Sequence, residues 1–261
     1  MEEFLKAIVL GIVQGLTEFL PISSTGHLLI GRKLLGLEEA GLFLDTMLHL
    51  GTLLAVVAIF WRDVLFMVRN PFSRLTLLIL AGTIPTAAIG LAFEDYFEAI
   101  SKTGVTVGWE FLLTGIILWW ADNMKNGSKK IDQISYTDAL LVGALQGAAI
   151  LPAISRSGLT IAGALFRGID KQAAARFSFL LSLPAILGAV VLQSKKLIDG
   201  EVAETISVFP LIAGTLASAV AGYIAVKWML NILQRGSLKG FSIYVWVLGA
   251  IILFLQFTGK W

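Results

Sequence analysis

A carboxylate, several hydroxyls and an imidazole lie close together in an apolar stretch near the N-terminus. Gln14 and Glu18 are four residues apart, so their side chains share one face of a helix. Pro21 ends that helix, and the residues after it are of kinds used in hydrolysis: Ser23, Ser24, Thr25 and His27. Their hydroxyls can cap the next helix, whose N-terminal N–H groups favour an anion. This combination predicts a hydrolytic site with a hydroxyl nucleophile.

The stretch that begins at Gln146 repeats this pattern with different polar groups. It runs to Gly158 with a break at Pro152, and its spacing is the same as from Gln14 to Gly26. Instead of a carboxylate and an imidazole, it carries a guanidinium among hydroxyls: Ser155, Arg156, Ser157 and Thr160. The planar donors of arginine suit phosphate oxygens. Because phosphoryl transfer depends on positioning and charge neutralisation, the two segments predict one site, in which the first supplies reactive groups and the second binds the anion.

The composition places these segments in a membrane protein. Of the 261 residues, 57% are hydrophobic and 15% are charged, whereas about a quarter of the residues of a soluble domain are charged. The net charge of +2 is too small to indicate a nucleic-acid partner, and the absence of cysteine excludes disulfides and thiol chemistry. Residues 4–13 follow Glu2 and Glu3 and precede no small-residue cleavage site, so no targeting peptide is predicted.

Apolar runs alternate with the two polar segments. A bilayer crossing needs about 17–25 apolar residues, and six runs qualify: 40–61, 74–93, 105–121, 173–193, 206–232 and 241–258. The polar breaks lie in two further apolar segments, 4–35 and 136–167. One broken segment followed by three spans occurs twice. This order predicts an all-α polytopic membrane protein with a single membrane domain, 1–261, made of two repeats, 1–125 and 133–261.

The broken segments either cross the membrane or enter and leave on one side. Crossing segments make the repeats parallel, whereas re-entrant segments invert the second repeat. Lysine and arginine favour the cytoplasmic side; they divide evenly in the crossing arrangement and cluster on one side in the re-entrant one. We therefore predict six transmembrane helices plus two re-entrant helical hairpins in inverted-topology repeats, with both termini outside and residues 62–73, 122–135 and 233–240 in the cytoplasm. The hairpins of such repeats meet near the bilayer midplane.

The two segments resemble the signature motifs of the undecaprenyl-diphosphatase family, the bacitracin-resistance membrane phosphatases. The first motif comprises Gln14-x-x-x-Glu18 and Pro21-Ile22-Ser23-Ser24-Thr25-Gly26-His27, and the second is Pro152-Ala153-Ile154-Ser155-Arg156-Ser157-Gly158-Leu159-Thr160. The resemblance covers essentially the whole chain. It implies hydrolysis of a C55 polyprenyl diphosphate to the monophosphate, which recycles the lipid carrier of cell-wall synthesis and confers bacitracin resistance. It also implies a divalent metal, an inverted-repeat fold with re-entrant helices, and a plasma (inner) membrane site that faces the outer leaflet.

Two positions depart from the family's motifs. The residue after Pro152 is usually glycine and here is Ala153, which lacks the φ > 0 freedom of glycine. The family accepts Glu or Gln at the first motif position, and Gln14 here leaves Glu18 as the only carboxylate of the pair. This second departure weakens a metal site that needs two carboxylates.

The resemblance and the residue types together suggest a role for each group. Arg156 binds the diphosphate together with hydroxyl side chains: Ser23, Thr25, Ser155, Ser157 and Thr160. Glu18, assisted by Gln14, binds Mg²⁺ or Ca²⁺, hard cations that prefer oxygen ligands. Ser24 attacks the terminal phosphorus and His27 shuttles the proton, or His27 is itself the nucleophile. The predicted catalytic residues are therefore Glu18, Ser24, His27 and Arg156.

Several of these features have a plainer interpretation. Ser23 and Thr25 are equally well explained as helix caps, and His49 in the span 40–61 is predicted to be a packing residue. The alternative function is a lipid-phosphate flippase, because inverted repeats with broken helices are the architecture of secondary transporters. A buried carboxylate repels phosphate in a carrier unless a metal intervenes, which favours the phosphatase. The predicted partners are a polyprenyl diphosphate lipid and membrane lipids, and a homodimer is compatible with the sequence.

Overall fold

The computed structural model describes residues 1–37, 42–93, 96, 99–100, 103–124, 126–199 and 206–261. These residues contain eleven α-helices and no strand, apart from one isolated parallel bridge between Lys129 and Ile169. The helices of the first half are α1 (Glu2–Phe19), α2 (Ser24–Leu35), α3 (Leu42–Ile59), α4 (Trp61–Arg69), α5 (Arg74–Ala92) and α6 (Val107–Asp122). After a 3₁₀ turn at Ile131–Gln133, the second half contains α7 (Tyr136–Ala148), α8 (Arg156–Phe166), α9 (Lys171–Ile198), α10 (Val208–Arg235) and α11 (Lys239–Phe257). The predicted all-α class is confirmed.

Four helices are long and apolar enough to cross a bilayer by themselves: α5, α9, α10 and α11. α3 and α4 form a further candidate only as a pair, and they meet at an angle of 85°. α6 covers the predicted span 105–121 but has 16 residues, just short of the roughly 17 that a straight crossing needs. The start of the predicted span 40–61 lies outside the described residues. The described part of the chain therefore holds four or five candidate spans, which confirms a multi-pass membrane protein.

Helices of the two halves pack against each other in reciprocal pairs. The helix before each break is packed by the other half, because α1 lies against α10 and α7 lies against α5. α3 also packs on α9, and α6 packs on α11. Glycines permit the closest approaches: a Cβ on Gly143 of α7 would lie 1.9 Å from the Gly82 oxygen of α5, and a Cβ on Gly11 of α1 would lie 2.2 Å from the Gly214 oxygen of α10. These contacts fix where each broken segment enters the fold.

Aromatic side chains hold the chain on both sides of the first break. Phe19, the last residue of α1, is fully buried and packs edge-to-face on Phe179 of α9, with ring centroids 5.5 Å apart. Phe111 of α6 is also fully buried, and its Cζ would lie 2.6 Å from a Cβ on Gly26 of α2. Packing of each such ring stabilises the fold through dispersion contacts with its neighbours. The turn between α1 and α2 is therefore held at both ends.

A buried carboxylate ties the start of α7 to the end of α8. Asp138 is fully buried and pairs with Arg167 Nε at 2.6 Å and with Lys129 Nζ at 3.2 Å. It also accepts hydrogen bonds from the N–H and Oγ of Ser135, the N-cap of α7. Burial raises the pKa of Asp138, but these hydrogen bonds and charges outweigh burial and hold the pKa well below its ordinary value. Asp138 is therefore ionised at neutral pH and anchors the second broken segment.

Candidate active site at the two breaks

The first break is a short turn between Phe19, where α1 ends, and Ser24, where α2 begins. Leu20 has an extended backbone, with ψ of 143°, as expected for the residue before Pro21. Ser23 is the N-cap of α2, and its Oγ accepts a 3.4 Å hydrogen bond from the N–H of Gly26. The predicted capping role of Ser23 is thus present, and it places Ser24 in the first turn of α2.

The second break runs from the end of α7 to Arg156, the first residue of α8. Ser155 is the N-cap of α8, and its Oγ accepts a 3.0 Å hydrogen bond from the N–H of Gly158. Ser23 is the only non-glycine residue with a positive φ in the described part of the chain. Ala153 therefore has an ordinary backbone conformation, and the turn does not require the freedom of the family's usual glycine at this position.

Two side chains of α6 brace the second break. Glu110 Oε2 accepts a 2.6 Å hydrogen bond from the N–H of Ala153. Thr114 Oγ1 donates to the Ala153 oxygen at 2.9 Å and accepts from the N–H of Ser155 at 3.1 Å. All four residues are buried. Backbone groups that leave helical hydrogen bonding at this depth need such partners, so these side chains fix the turn that presents Arg156.

The turns of the two breaks contact each other directly. Ser23 Oγ donates a 2.6 Å hydrogen bond to the oxygen of Pro152. In the opposite direction, Ser157 Oγ donates to the oxygen of Leu20 at 3.2 Å. Each turn thus supplies a hydroxyl to a carbonyl that the other turn leaves without a helical partner. The two predicted motifs therefore form one structural unit.

Glu18 is the centre of this unit. It is 6% exposed, and its Oε1 accepts a 2.5 Å hydrogen bond from Arg156 Nη2 of the second break. Its Oε2 accepts from Gln14 Nε2 at 2.9 Å and from Ser24 Oγ. His49 Nε2 of α3 lies 3.6 Å from the same oxygen. The carboxylate is thus close to a cation, a hydroxyl and an imidazole at once.

A cavity of about 240 Å³ opens beside Glu18. Its polar lining contains six predicted site residues and one further histidine: Glu18, Ser23, Ser24, Thr25, Ser155, Arg156 and His49. Its apolar lining comes from the second break and from α9: Ala149, Ile150, Ile154, Ala185, Ile186 and Ala189. The cavity therefore joins an anion-binding wall to an apolar wall, as a lipid with a phosphorylated head requires.

Four predicted site residues do not line this cavity: Gln14, His27, Ser157 and Thr160. Nδ1 of His27 lies 2.6 Å from the carbonyl oxygen of Ser23, and Nε2 lies 2.8 Å from the hydroxyl of Tyr244, on α11. Thr160 is fully buried, and its Oγ1 lies 2.6 Å from Ser178 Oγ of α9. The structure therefore brings the predicted carboxylate, hydroxyl and guanidinium together, and it directs His27 elsewhere.

Sequence reasoning missed His49 as a lining residue. Its Nδ1 is hydrogen-bonded to the backbone carbonyl oxygen of Asp45 at 2.7 Å, and its Nε2 faces Glu18. A polar ring in an apolar span is a signal of function in membrane proteins, as it is for Glu18. Glu110 and Thr114 were missed because nothing in their sequence distance from the motif indicates that α6 packs on the second break.

The residues near Glu18 fit a divalent cation only together with a phosphate. Within the described residues, no group of three or more His, Asp or Glu side chains is placed to hold a metal. Glu18 offers one carboxylate, and the Oε1 of Gln14 is buried without a hydrogen-bond partner. Mg²⁺ is commonly bound by one or two carboxylates, with substrate phosphates and water completing its shell. The Glu18 carboxylate and the Gln14 Oε1 are the oxygen atoms that the protein would offer to such a shell.

Comparison with known proteins identifies relatives over nearly the whole chain. The family model of the bacitracin resistance protein BacA matches residues 7–251. Undecaprenyl-diphosphatase 3 of Bacillus cereus is 60% identical over 255 residues, which cover 98% of each chain. Undecaprenyl-diphosphatases of Carboxydothermus hydrogenoformans and Halothermothrix orenii are 52% and 44% identical, over 98% and 97% of this chain and 98% of each relative. The resemblance predicted from the two motifs is confirmed.

Proposed function

The chain belongs to the bacitracin resistance protein BacA family, and we propose that it is an integral membrane phosphatase. Its substrate is a polyprenyl (undecaprenyl, C55) diphosphate, which it hydrolyses to the monophosphate and inorganic phosphate. This reaction recycles the lipid carrier for cell-wall synthesis and confers bacitracin resistance. The relatives named undecaprenyl-diphosphatase support the activity. The observation that carries the proposal is the contact between Glu18 and Arg156 beside Ser24, because it joins a base, an anion-binding group and a nucleophile in one cavity.

In the first step, Ser24 Oγ attacks the terminal phosphorus of the diphosphate. Glu18 takes the Ser24 proton, since the Ser24 hydroxyl already donates to it. The bond between the terminal phosphorus and the bridging oxygen breaks, and the prenyl monophosphate leaves with that oxygen. In the second step, water attacks the phosphoserine, Ser24 Oγ leaves and recovers a proton, and inorganic phosphate is released. The two steps together add one water molecule to the diphosphate, and all oxygen atoms and protons are accounted for.

Arg156 links substrate binding to this proton transfer. Without substrate its guanidinium is paired with Glu18, which neutralises the carboxylate. Phosphate oxygens compete for the same donors with bidentate geometry, so an incoming diphosphate draws Arg156 away from Glu18. Glu18 Oε1 is then released from Arg156, while Oε2 keeps the hydrogen bond from Ser24 Oγ, through which the proton is transferred. Ser155, Ser23 and Thr25 line the same wall and supply neutral donors.

Glu18 and Gln14 are the residues that would hold Mg²⁺ or Ca²⁺, which would neutralise charge on the diphosphate oxygens. The apolar wall made by Ile150, Ile154 and Ile186 supports a lipid substrate, because it can receive the first isoprene units of the chain. The flippase alternative is not favoured, since relatives across 44–60% identity carry the name of a diphosphatase.

For the topology we propose six transmembrane helices and two re-entrant hairpins, in inverted repeats 1–125 and 133–261. The reciprocal packing of α1 on α10 and of α7 on α5 supports this, because inverted repeats would pair corresponding helices of the two halves in this reciprocal way. Both termini would lie outside, with the site open to the outer leaflet of the plasma membrane. The chain has no cysteine, so single cysteines report location: in cells, Thr258→Cys should react with a membrane-impermeant maleimide, and Ser128→Cys should not.

The activity is tested by phosphate release from a C55 or C15 prenyl diphosphate by the purified protein in detergent. Ser24→Ala and Arg156→Ala should each lose most of the activity. Thr83→Ala is the control for a lost hydroxyl, because Thr83 Oγ1 donates to the Ile79 carbonyl oxygen of its own helix, at 2.8 Å. Arg62→Ala is the control for a lost exposed cation. Full activity of both site variants would place the chemistry elsewhere, and phosphohistidine trapped at His27 would exclude Ser24 as the nucleophile.

A further inference from the structure

We propose that Tyr244 is a positioning residue for the nucleophile, acting through His27 and the backbone of Ser23. The inference rests on the proposed function, because it assigns to Ser24 the role of nucleophile. Tyr244 is on α11, in the opposite half of the chain from the first break. It is not among the residues that line the cavity beside Glu18. Its effect on the reaction is transmitted by two hydrogen bonds and one backbone conformation.

The backbone conformation is that of Ser23. Its φ of 68° and ψ of 107° lie in a region that non-glycine residues rarely adopt. Such a conformation costs free energy and persists only where the surroundings enforce it. Ser23 immediately precedes Ser24, so the direction of this turn sets the direction in which Ser24 Oγ leaves α2. A strained residue directly before the nucleophile is therefore a point at which positioning can be controlled.

Hydrogen bonds hold Ser23 in this conformation: its Oγ and its carbonyl oxygen each accept a long bond of 3.4 Å, from the N–H groups of Gly26 and His27, and each also makes a shorter one. Its Oγ donates to the Pro152 oxygen at 2.6 Å, and its carbonyl oxygen lies 2.6 Å from His27 Nδ1. A carbonyl oxygen only accepts, so Nδ1 of His27 carries the proton. In the neutral ring, Nε2 is then an acceptor, and the Tyr244 hydroxyl at 2.8 Å donates to it. Tyr244 thus selects the His27 tautomer that binds the Ser23 carbonyl.

The orientation of the His27 ring is fixed as well as its tautomer. The ring stacks on Tyr244, with centroids 5.7 Å apart and planes at 14°, and it meets the edge of Phe111 at 87°. Both ring nitrogens are occupied by these contacts, and the ring lies outside the cavity. His27 therefore influences the position of Ser24 through its hydrogen bond to the Ser23 carbonyl oxygen.

The test is Tyr244→Phe, which removes the hydroxyl and keeps the stacked ring. We expect kcat for phosphate release to fall about fivefold, as for the loss of one hydrogen bond, with KM unchanged. Tyr223→Phe is the matched control: Tyr223 lies on α10 with its ring 4.4 Å from Lys227 Nζ, and this variant should match the wild type. In protein labelled with ¹⁵N-histidine, the Nδ1–H signal of His27 should be lost or shifted in Tyr244→Phe. The chain has two histidines, so the assignment needs one reference variant, His49→Asn.

Ser23→Gly separates a relay through the backbone from a general loss of packing. Glycine adopts positive φ without strain, so the kcat penalty of Tyr244→Phe should be smaller in the Ser23→Gly background than in the parent. Equal penalties in the two backgrounds, an unchanged kcat, or a loss confined to KM would overturn the inference. If Ser24→Ala is inactive while Tyr244→Phe equals the wild type, the proposed function stands and this inference fails. If the wild type releases no phosphate, the proposed function fails, and the His27 tautomer still tests the hydrogen-bond relay.

Discussion

Glu18→Gln separates the structural and chemical contributions of the central carboxylate. The substitution keeps the shape of the side chain but leaves Arg156 without its ion-pair partner. Removing one partner of a buried pair costs about 3–5 kcal/mol. The side chains of Arg156 and Glu18 are 19% and 4% exposed, so solvent compensates a little and we expect the lower end, about 3 kcal/mol. At about 2–4 °C per kcal/mol for a chain of this size, the unfolding temperature should fall by about 6–12 °C.

The activity should fall further than the stability alone explains. Loss of a general base costs about 10²–10⁴-fold in rate, and Gln cannot take the proton of Ser24. Two assays on one preparation measure both effects: thermal unfolding in detergent, and phosphate release well below the unfolding temperature. Asp63→Asn is the control, because the Arg176 side chain of that pair is 40% exposed and a pair of that kind contributes up to about 1 kcal/mol.

The double variant Glu18→Gln with Arg156→Met decides between the two contributions. It removes the uncompensated charge, so the unfolding temperature should recover most of its loss. The activity should not recover, because both the base and the phosphate-binding group are absent. A double variant as unstable as Glu18→Gln would show that the carboxylate, and not its pairing with Arg156, holds the two breaks together. Glu18→Gln with more than a tenth of the wild-type activity would refute its role as the base.

Three further predictions concern packing, charge and metal. Gly143→Val should lower the stability by about 1–3 kcal/mol, since its Cβ would meet the Gly82 backbone, whereas Gly188→Ala should be tolerated because a Cβ there meets nothing within 4 Å; both follow from thermal unfolding. Asp138→Asn should lower the unfolding temperature at pH 7. The pKa of Asp138 in the folded protein lies below its ordinary value. The difference in unfolding temperature between the wild type and this variant should therefore persist above about pH 4 and narrow as the pH falls through that folded pKa. A chelator should abolish phosphate release and Mg²⁺ or Ca²⁺ should restore it; Gln14→Leu should raise the metal concentration needed, whereas Gln146→Leu, the equivalent change in the second segment, should not.

The sequence predicted the site where its determinants are local or complementary. The breaks follow from Pro21 and Pro152, and the convergence of the two segments on one site follows from the different polar groups that they carry. The ion pair between Glu18 and Arg156 was not predicted, because Arg156 was assigned to the phosphate and Glu18 to a metal. The direction of His27 could not be predicted, because its three-residue spacing from Ser24 describes only the helix. The partner that orients its ring is Tyr244, which lies in the other half of the chain. Contacts between distant segments are set by packing, and neither periodicity nor motif spacing encodes them.

The location of His49 illustrates the same limit for a single residue. Within its own span it is one polar ring among apolar neighbours, which is compatible with packing. Only the packing of α3 against α1 brings its Nε2 to 3.6 Å from Glu18. The prediction of membrane spans has a related limit. The hydropathy of residues 105–121 predicted a bilayer crossing, but α6 has 16 residues, just short of a straight crossing.

The exchange of hydrogen bonds between the two turns explains why the copies diverged as a pair. A turn between two helices leaves backbone carbonyls without helical hydrogen-bond partners. Here Ser23 Oγ donates to the Pro152 oxygen, and Ser157 Oγ donates to the Leu20 oxygen, which also accepts from the N–H of Ile22. Each turn thus contributes one hydroxyl to the contact between them. Those hydroxyls are fixed by structure, which leaves the neighbouring positions free to differ. Glu18 in one copy and Arg156 in the other use that freedom, and their opposite charges allow both to be buried beside one cavity.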